Sequence, residues 1–244
     1  MLCIGSTPVT SETLDKYPNL ECIVGTSAGF DNFDLAECRR RGIHVTTAGD
    51  SFADNVADFA GGLLIDVLRR VGGKRVGIVG LGSIGSRIGK RLEAFGCSIA
   101  YTSKRMKPNV PFCFHSNIHD LAINSDVLIL CCSLTKETHH IVGKEVLTAL
   151  GKEGVVINVG CGALVDEKEL VQFLKRGEIG GAGLDVYEND PHVPKELFVL
   201  DNVVMSPHIA VSTPESFEAL EELFTYNIQA FFSNKPLQAQ IDYD

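Results

Sequence analysis

The sequence predicts an α/β fold built on a doubly wound parallel sheet. Three observations carry that expectation. From Lys74 onward, short apolar runs rich in valine and isoleucine alternate with stretches of helical length. Strands without polar alternation belong in a sheet covered on both faces. A G-x-G-x-x-G loop, Gly80-Leu81-Gly82-Ser83-Ile84-Gly85, follows the first of those runs and opens a helix. Glycines then close the helical stretches, at Gly96, Gly151 and Gly177.

Taken in order, residues 20–25 and 43–46 read as strands, with a short helix over 35–41 between them. A long helix covers 56–70, with Ser51 and Asp54 as candidate caps. The alternation follows: strand 75–80, helix 84–95, strand 98–102, strand 126–132, helix 142–150, strand 154–159, helix 166–175, strand 183–186 and strand 202–205. The tail, 213–232, is a helix whose Phe217, Leu220, Leu223, Phe224, Ile228 and Phe231 fall close to an i, i+3, i+4, i+7 stripe.

Length and composition set limits. A chain of 244 residues holds one large domain or two small ones. Hydrophobic residues at 45% and charged residues at 22% exclude a disordered chain. Lys and Arg number 22 against 31 Asp and Glu, a net charge of −9 that argues against nucleic acid as a partner. The start, Met1-Leu2-Cys3-Ile4-Gly5, lacks a basic segment before a long apolar run, so no secretory or transit leader is expected. The longest apolar run, 127–132, is too short to cross a bilayer. The 8 cysteines fit no zinc spacing, and Cys131 and Cys132 read as small buried side chains. A reducing, cytoplasmic setting is expected. No metal site is expected either: His139 and His140 are adjacent, and neighbours on a regular element do not share a face.

The glycine loop points to a dinucleotide. Its first glycine permits a tight turn, the second lets backbone approach a pyrophosphate, and the third lets helix pack on strand. The helix N-terminus then faces the phosphates. The end of the second strand of the motif selects the nucleotide. A NAD site wants Asp or Glu there for the ribose hydroxyls. Here the chain reads Tyr101-Thr102-Ser103-Lys104-Arg105, with no carboxylate, and the Ser103 hydroxyl with the cations Lys104 and Arg105 suits a 2′-phosphate. NADP(H) is therefore expected, against the alternative of a solvated basic loop.

Three segments follow strands on the side where an open α/β sheet binds its ligands. They are Asn158-Val159-Gly160-Cys161-Gly162, the stretch from Leu184 to Pro191, and Ser206-Pro207-His208-Ile209-Ala210. His208, with a carboxylate on the neighbouring loop, makes a proton donor and its orienter. Alone, such a histidine reads as structural or surface.

With these motifs assembled, the chain resembles the D-isomer-specific 2-hydroxyacid dehydrogenases, and among them the plant-type glyoxylate/hydroxypyruvate and hydroxyphenylpyruvate reductases. The resemblance spans about residues 2–237 and rests on Thr26-Ser27-Ala28-Gly29-Phe30-Asp31, Asn55-Val56-Ala57-Asp58, the 77–85 glycine signature, Leu134-Thr135-Lys136-Glu137-Thr138, the 181–186 strand and Ser206-Pro207-His208. It implies a Rossmann cofactor domain with an interdomain helix, 53–213. It also implies an incomplete flavodoxin-like substrate domain, 1–52 with 214–244. The implied reaction is hydride transfer from NADPH to a small 2-oxo acid such as glyoxylate or hydroxypyruvate. His208 would protonate the alkoxide and Asp190 would pair with it. Ser27, Ala28 and Gly29 would hold the substrate carboxylate by backbone amides. Ser133, Val159, Gly160, Cys161 and Asp185 would line the cofactor, with Asp185 at the carboxamide.

Departures from the family pattern weigh on that reading. Where the pattern has arginine this chain has Cys161, which cannot replace a bidentate guanidinium. Asp190 stands where glutamate is usual, and the shorter arm is expected to strain the pairing with His208, with Glu188 pointing elsewhere. An N-terminal βα portion and a helical arm between residues 70 and 72, which builds the family's homodimer, have no counterpart, so dimerisation should be weakened or absent. The alternative to a reductase is a catalytically impaired NADP-binding pseudoenzyme or interaction protein. A phosphoglycerate or D-lactate dehydrogenase shares the fold but would carry a carboxylate after Thr102.

Overall fold

The computed structural model describes residues 2–3, 7–30 and 32–242. The leader reading at Met1, Ile4 and Gly5 and the motif residue Asp31 lie outside the described residues. The chain divides into two compact units: Ala53–Val211, and Met1–Phe52 together with Ser212–Asp244.

The larger unit begins with helix α3 (Ala53–Leu68), and its strands are β4 (Arg75–Val79), β5 (Ser98–Thr102), β6 (Cys113–Phe114), β7 (Val127–Leu130), β8 (Val155–Asn158), β9 (Gly181–Leu184) and β10 (Val203–Met205). They form one sheet in the order β10-β9-β8-β7-β4-β5-β6, with every neighbouring pair parallel. Strand order reverses between β4 and β7, the switch point where doubly wound sheets open a crevice for ligands. β7 and β8 are buried at every residue, as expected of apolar runs in a covered sheet. α5 (Ile118–Ile123), α6 (Lys144–Leu150) and α7 (Glu167–Arg176) supply Leu121, Leu147 and Leu174 to the core that includes Leu128, Leu130 and Val156. α4 (Ser83–Ala94) packs along α3, and Arg91 bridges Asp54 at 2.9 Å and Asp58 at 2.5 Å between them.

Several expectations shift here. Asp54 does not cap α3 but lies in its first turn, where Arg91 foremost holds its carboxyl below the usual range. The helix expected from residue 142 starts at Lys144. Val142 instead makes a parallel bridge to Val165, its amide donating to Leu164 O at 3.0 Å. The sequence reading missed β6 and α5, two and six residues long, too short for a periodic signal. α3 ends at Leu68 and β4 begins at Arg75, so the chain passes directly from helix to strand where the family pattern has an arm.

The smaller unit has a parallel sheet ordered β1 (Leu2–Cys3), β2 (Cys22–Gly25), β3 (His44–Thr46), with α1 (Ser11–Asp15), α2 (Leu35–Arg41) and α8 (Pro214–Phe232). Its core joins Leu14, Ile23, Phe33, Cys38, Ile43 and Val45. α1 was also unforeseen. In α2, Asp34 accepts from Glu37 N at 3.0 Å and Gly42, at φ 69°, ends the helix. α8 corrects the stripe expectation. Its buried residues are Ser216, Asn227 and Ala230, while Phe217 and Ile228 are exposed. Asn227 explains the register: its amide donates to Gln238 O at 3.0 Å and accepts from Gln238 N at 2.8 Å, so a polar clamp faces inward.

Candidate active site

The glycine loop leaves β4 at the switch point. Gly80 has φ 99°, a left-handed backbone that favours glycine, and a Cβ there would stand 2.6 Å from Cys132 Cα at the end of β7. A Cβ on Gly85 would overlap the Gly80 carbonyl oxygen. Gly82 is different: a Cβ there would meet nothing within 4 Å. Gly82 is also the N-cap of α4, and no side chain caps that helix. Uncapped amides at a helix N-terminus, over a cradle that a side chain would fill, fit a pyrophosphate. The residues present therefore fit the dinucleotide that the motif implies.

Beyond β5 the backbone turns back on itself. Ser103 Oγ donates to Arg105 O at 2.6 Å, and Lys107 N donates to the hydroxyl of buried Tyr101 at 2.9 Å. Lys104 and Arg105 stand exposed on that turn, and neither is in an ion pair among the described residues. The carboxylate that Lys104 influences is Glu137, held below its usual range by the Thr135 hydroxyl first and by Lys104 and Lys136 further down.

The third part of the site follows β10. His208 has φ 57°, an unusual backbone for a residue other than glycine or asparagine. Asp185, 1% exposed, fixes it. Its Oδ1 accepts from Ser206 Oγ at 2.6 Å and Ile209 N at 2.9 Å, and its Oδ2 accepts from Ala210 N at 3.0 Å. The two amides after His208 are thus held by one buried carboxylate. The carboxamide role implied for Asp185 must share a group that the chain already engages three times. Tyr187 closes the loop from the other side, its hydroxyl donating to Ser206 O at 3.1 Å, and burial pushes its pKa up to about 12.

His208 Nδ1 lies 2.9 Å from Asp190 Oδ2. The shorter aspartate does not break the pairing: the 187–191 loop brings the carboxylate within reach. Glu188 turns away and meets His140 instead, Oε1 to Nε2 at 2.9 Å. Nε2 of His208 has no protein partner among the described residues, so it is the ring nitrogen offered outward.

Cys161 sits after β8 on a loop closed by buried Asn158, whose Nδ2 donates to Cys161 O at 2.8 Å and whose Oδ1 accepts from Gly160 N at 3.2 Å. The thiol is half-buried. Cys131 donates to Gly80 O at 3.2 Å, and burial raises both vicinal thiols, Cys132 to about 11. These cysteines stay protonated and pack as small side chains. Ser133 follows them on an exposed turn and accepts from Thr138 Oγ1 at 2.8 Å through its carbonyl. In the smaller unit, Ser27 Oγ donates to Gly29 O at 2.8 Å and Ala48 N donates to Ser27 O at 2.9 Å, which shapes the 26–30 loop.

One expectation fails outright. His139 and His140 do face the same way: their rings stack with centroids 3.9 Å apart. The two residues lie in a turn, His140 with φ 52°, where the side-chain periodicity of helices and strands does not hold.

Residues 64–210 match the family model for the D-isomer specific 2-hydroxyacid dehydrogenase NAD binding domain. The chain belongs to that family. It is similar to a glyoxylate/hydroxypyruvate reductase of Arabidopsis thaliana, 54% identical over 98% of this chain and 82% of the relative. A hydroxyphenylpyruvate reductase of Plectranthus scutellarioides is 44% identical over 93% of this chain and 80% of its own length. Among solved structures, an NADPH-dependent glyoxylate/hydroxypyruvate reductase from Sinorhizobium meliloti, in complex with NADP and malonate, superimposes with a TM-score of 0.93. It is 35% identical, over 98% of this chain and 83% of that one. The Arabidopsis alignment runs over 264 positions, more than the 244 residues of this chain, so that relative has internal residues without a counterpart here.

Proposed function

We propose that the protein is an NADPH-dependent reductase of small 2-oxo acids of the glyoxylate and hydroxypyruvate class. The observation that carries the reading is the His208–Asp190 pair, 2.9 Å apart at the carboxyl end of a strand in the sheet that bears the glycine loop. His208 presents Nε2 and gives its proton to the substrate oxygen as negative charge builds there. Asp190 holds Nδ1 and stabilises the imidazolium form. Asp185 keeps the 206–210 loop in the one backbone shape that aims His208 outward, and it borders the cofactor with Ser133, Val159, Gly160 and Cys161. NADPH, when bound, supplies the hydride. Amides from the Gly80–Gly85 loop hold its pyrophosphate. The loop amides of Ser27, Ala28 and Gly29 hold the substrate carboxylate. In this reading 53–213 is the cofactor domain, and 1–52 with 214–244 the substrate domain.

A second reading rests on Cys161. With no guanidinium at the substrate, the chain is an NADP-binding protein with little turnover. Disappearance of NADPH absorbance with hydroxypyruvate or glyoxylate separates the two. Fluorescence titration with NADPH reports binding by itself, so binding without oxidation selects the second reading and no binding sinks both. The reading extends to a cytoplasmic protein with no nucleic-acid or membrane partner and a weakened homodimer. Among the described residues no helix is long and apolar enough to cross a membrane.

Two predictions follow from the cofactor side. Gly82→Ala is expected to fold normally, because its Cβ meets nothing, yet to weaken NADPH binding about tenfold or more, ~1.4 kcal/mol. Circular dichroism and fluorescence titration check the two halves, and unchanged affinity would remove Gly82 from the site. Lys104→Glu with Arg105→Glu is expected to cost NADPH, not NADH, affinity. Each charge-assisted bond to the 2′-phosphate contributes about 1.5–3 kcal/mol, so the NADPH-to-NADH ratio should fall at least tenfold. Equal losses for both nucleotides would leave these residues as a solvated loop.

A further inference from the structure

We infer that His139, His140 and Glu188 form a binding site for a divalent transition cation of the zinc class. One donor atom from each of the three residues lies within 4.8 Å of the other two. The set of two imidazole nitrogens and one carboxylate oxygen is that of zinc sites with three protein ligands and an open fourth position. Bonds of about 2.0–2.2 Å put donors in a tetrahedron ~3.3 Å apart, so on binding the stacked rings of His139 and His140 must turn to aim their nitrogens at one point. His139 is exposed and Glu188 partly so, which leaves the fourth position to water. Imidazole donors favour zinc, nickel, copper and cobalt over magnesium and calcium.

The surroundings of the three donors are acidic. Asp166, Glu167, Glu188 and Asp190 are carried by adjoining segments, and none of them is in an ion pair with lysine or arginine among the described residues. Their described ionic partners are the imidazoles of His140 and His208. Negative charge is therefore gathered here without a fixed positive partner. The orientation of His140 also suits a ligand. Nε2 points to Glu188 at 2.9 Å, while Nδ1 faces the Asp166 carboxylate at 4.0 Å, beyond hydrogen-bond distance but close enough for its charge to favour a cation on the ring. On binding, the cation replaces the proton now shared by His140 and Glu188, and it joins the 139–140 turn to the loop that carries Asp190. Nothing in this site depends on the reductase reading.

The test is calorimetric titration of zinc chloride, and separately of cobalt chloride, into chelator-treated full-length protein. Magnesium chloride serves as the control. One zinc per chain is expected in the micromolar range, with an increase in Tm. His139→Ala, at an exposed position, should weaken zinc binding at least tenfold, and the His139→Ala/His140→Ala double variant should abolish both the binding and the Tm increase. Circular dichroism establishes that the variants fold. If the double variant proves unstable, Glu188→Gln alone must still weaken binding tenfold. Bound cobalt should show visible bands without the intense near-ultraviolet absorption of thiolate ligation. Equal zinc binding by the wild type and His139→Ala, a thiolate spectrum, or no binding up to millimolar zinc each overturn the proposal.

Discussion

Replacing His208 by asparagine should lower kcat for hydroxypyruvate reduction by about 10²–10⁴ while leaving NADPH affinity within about twofold. The choice of asparagine matters. Position 208 has φ 57°, and asparagine tolerates left-handed backbone better than other non-glycine residues. The amides of Ile209 and Ala210 therefore keep their bonds to Asp185, and the loop keeps its shape. What is lost is a group able to release a proton from Nε2. A companion variant, Asp190→Asn, keeps a hydrogen-bonding side chain beside Nδ1 but removes the charge that stabilises the imidazolium. It should fall in the same direction by a smaller factor. Steady-state NADPH oxidation measures kcat, and fluorescence titration measures cofactor binding. A His208→Asn enzyme retaining more than a tenth of wild-type kcat would place the proton donor elsewhere.

The sequence made the sheet legible where burial is complete. β7 and β8 are short apolar runs buried at every residue, and β4 is buried at all but its first residue, Arg75; a parallel sheet covered on both faces tolerates little else. The glycine loop was legible because its residues answer steric demands within the loop itself. Gly80 must be left-handed and Gly85 must clear a carbonyl. Features that depend on distant chain segments were not legible. The stacking of His139 and His140 is local, but it occurs where His140 takes a left-handed backbone in a turn, and nothing in a His-His pair announces that. The three bonds to Asp185 come from residues more than twenty positions away. The reach of Asp190 to His208 likewise depends on how the 187–191 loop folds, so a missing methylene could not be weighed from side-chain length alone. In α8, hydrophobic spacing suggested a buried stripe, yet the inward face belongs to Ser216, Asn227 and Ala230 because Asn227 binds the tail backbone.

Restoring the family arginine, Cys161→Arg, should raise kcat/KM for hydroxypyruvate by about 10²–10³, the value of one preorganised donor at a developing oxyanion. The local backbone can accept the change. Asn158 ties the loop from 158 to 161 through bonds of 2.8 and 3.2 Å to its backbone. Gly162 follows, where an added Cβ would overlap the Tyr187 backbone, so the loop packs tightly on that segment. The thiol is only half-buried, so a longer side chain can leave the core edge and extend toward solvent. A planar guanidinium can then take the substrate carboxylate together with the carbonyl oxygen where charge develops, a paired geometry that a thiol cannot offer. Cys161→Lys separates charge from geometry: an ammonium supplies attraction without the fork, and it should recover only a small part of the gain. Cys161→Ala should recover nothing. Adding His208→Asn to the arginine variant should erase its gain, since a held substrate still needs a proton donor. A Cys161→Arg protein that binds NADPH as the wild type does, yet reduces hydroxypyruvate no faster, would show that turnover in this chain is limited elsewhere than at residue 161.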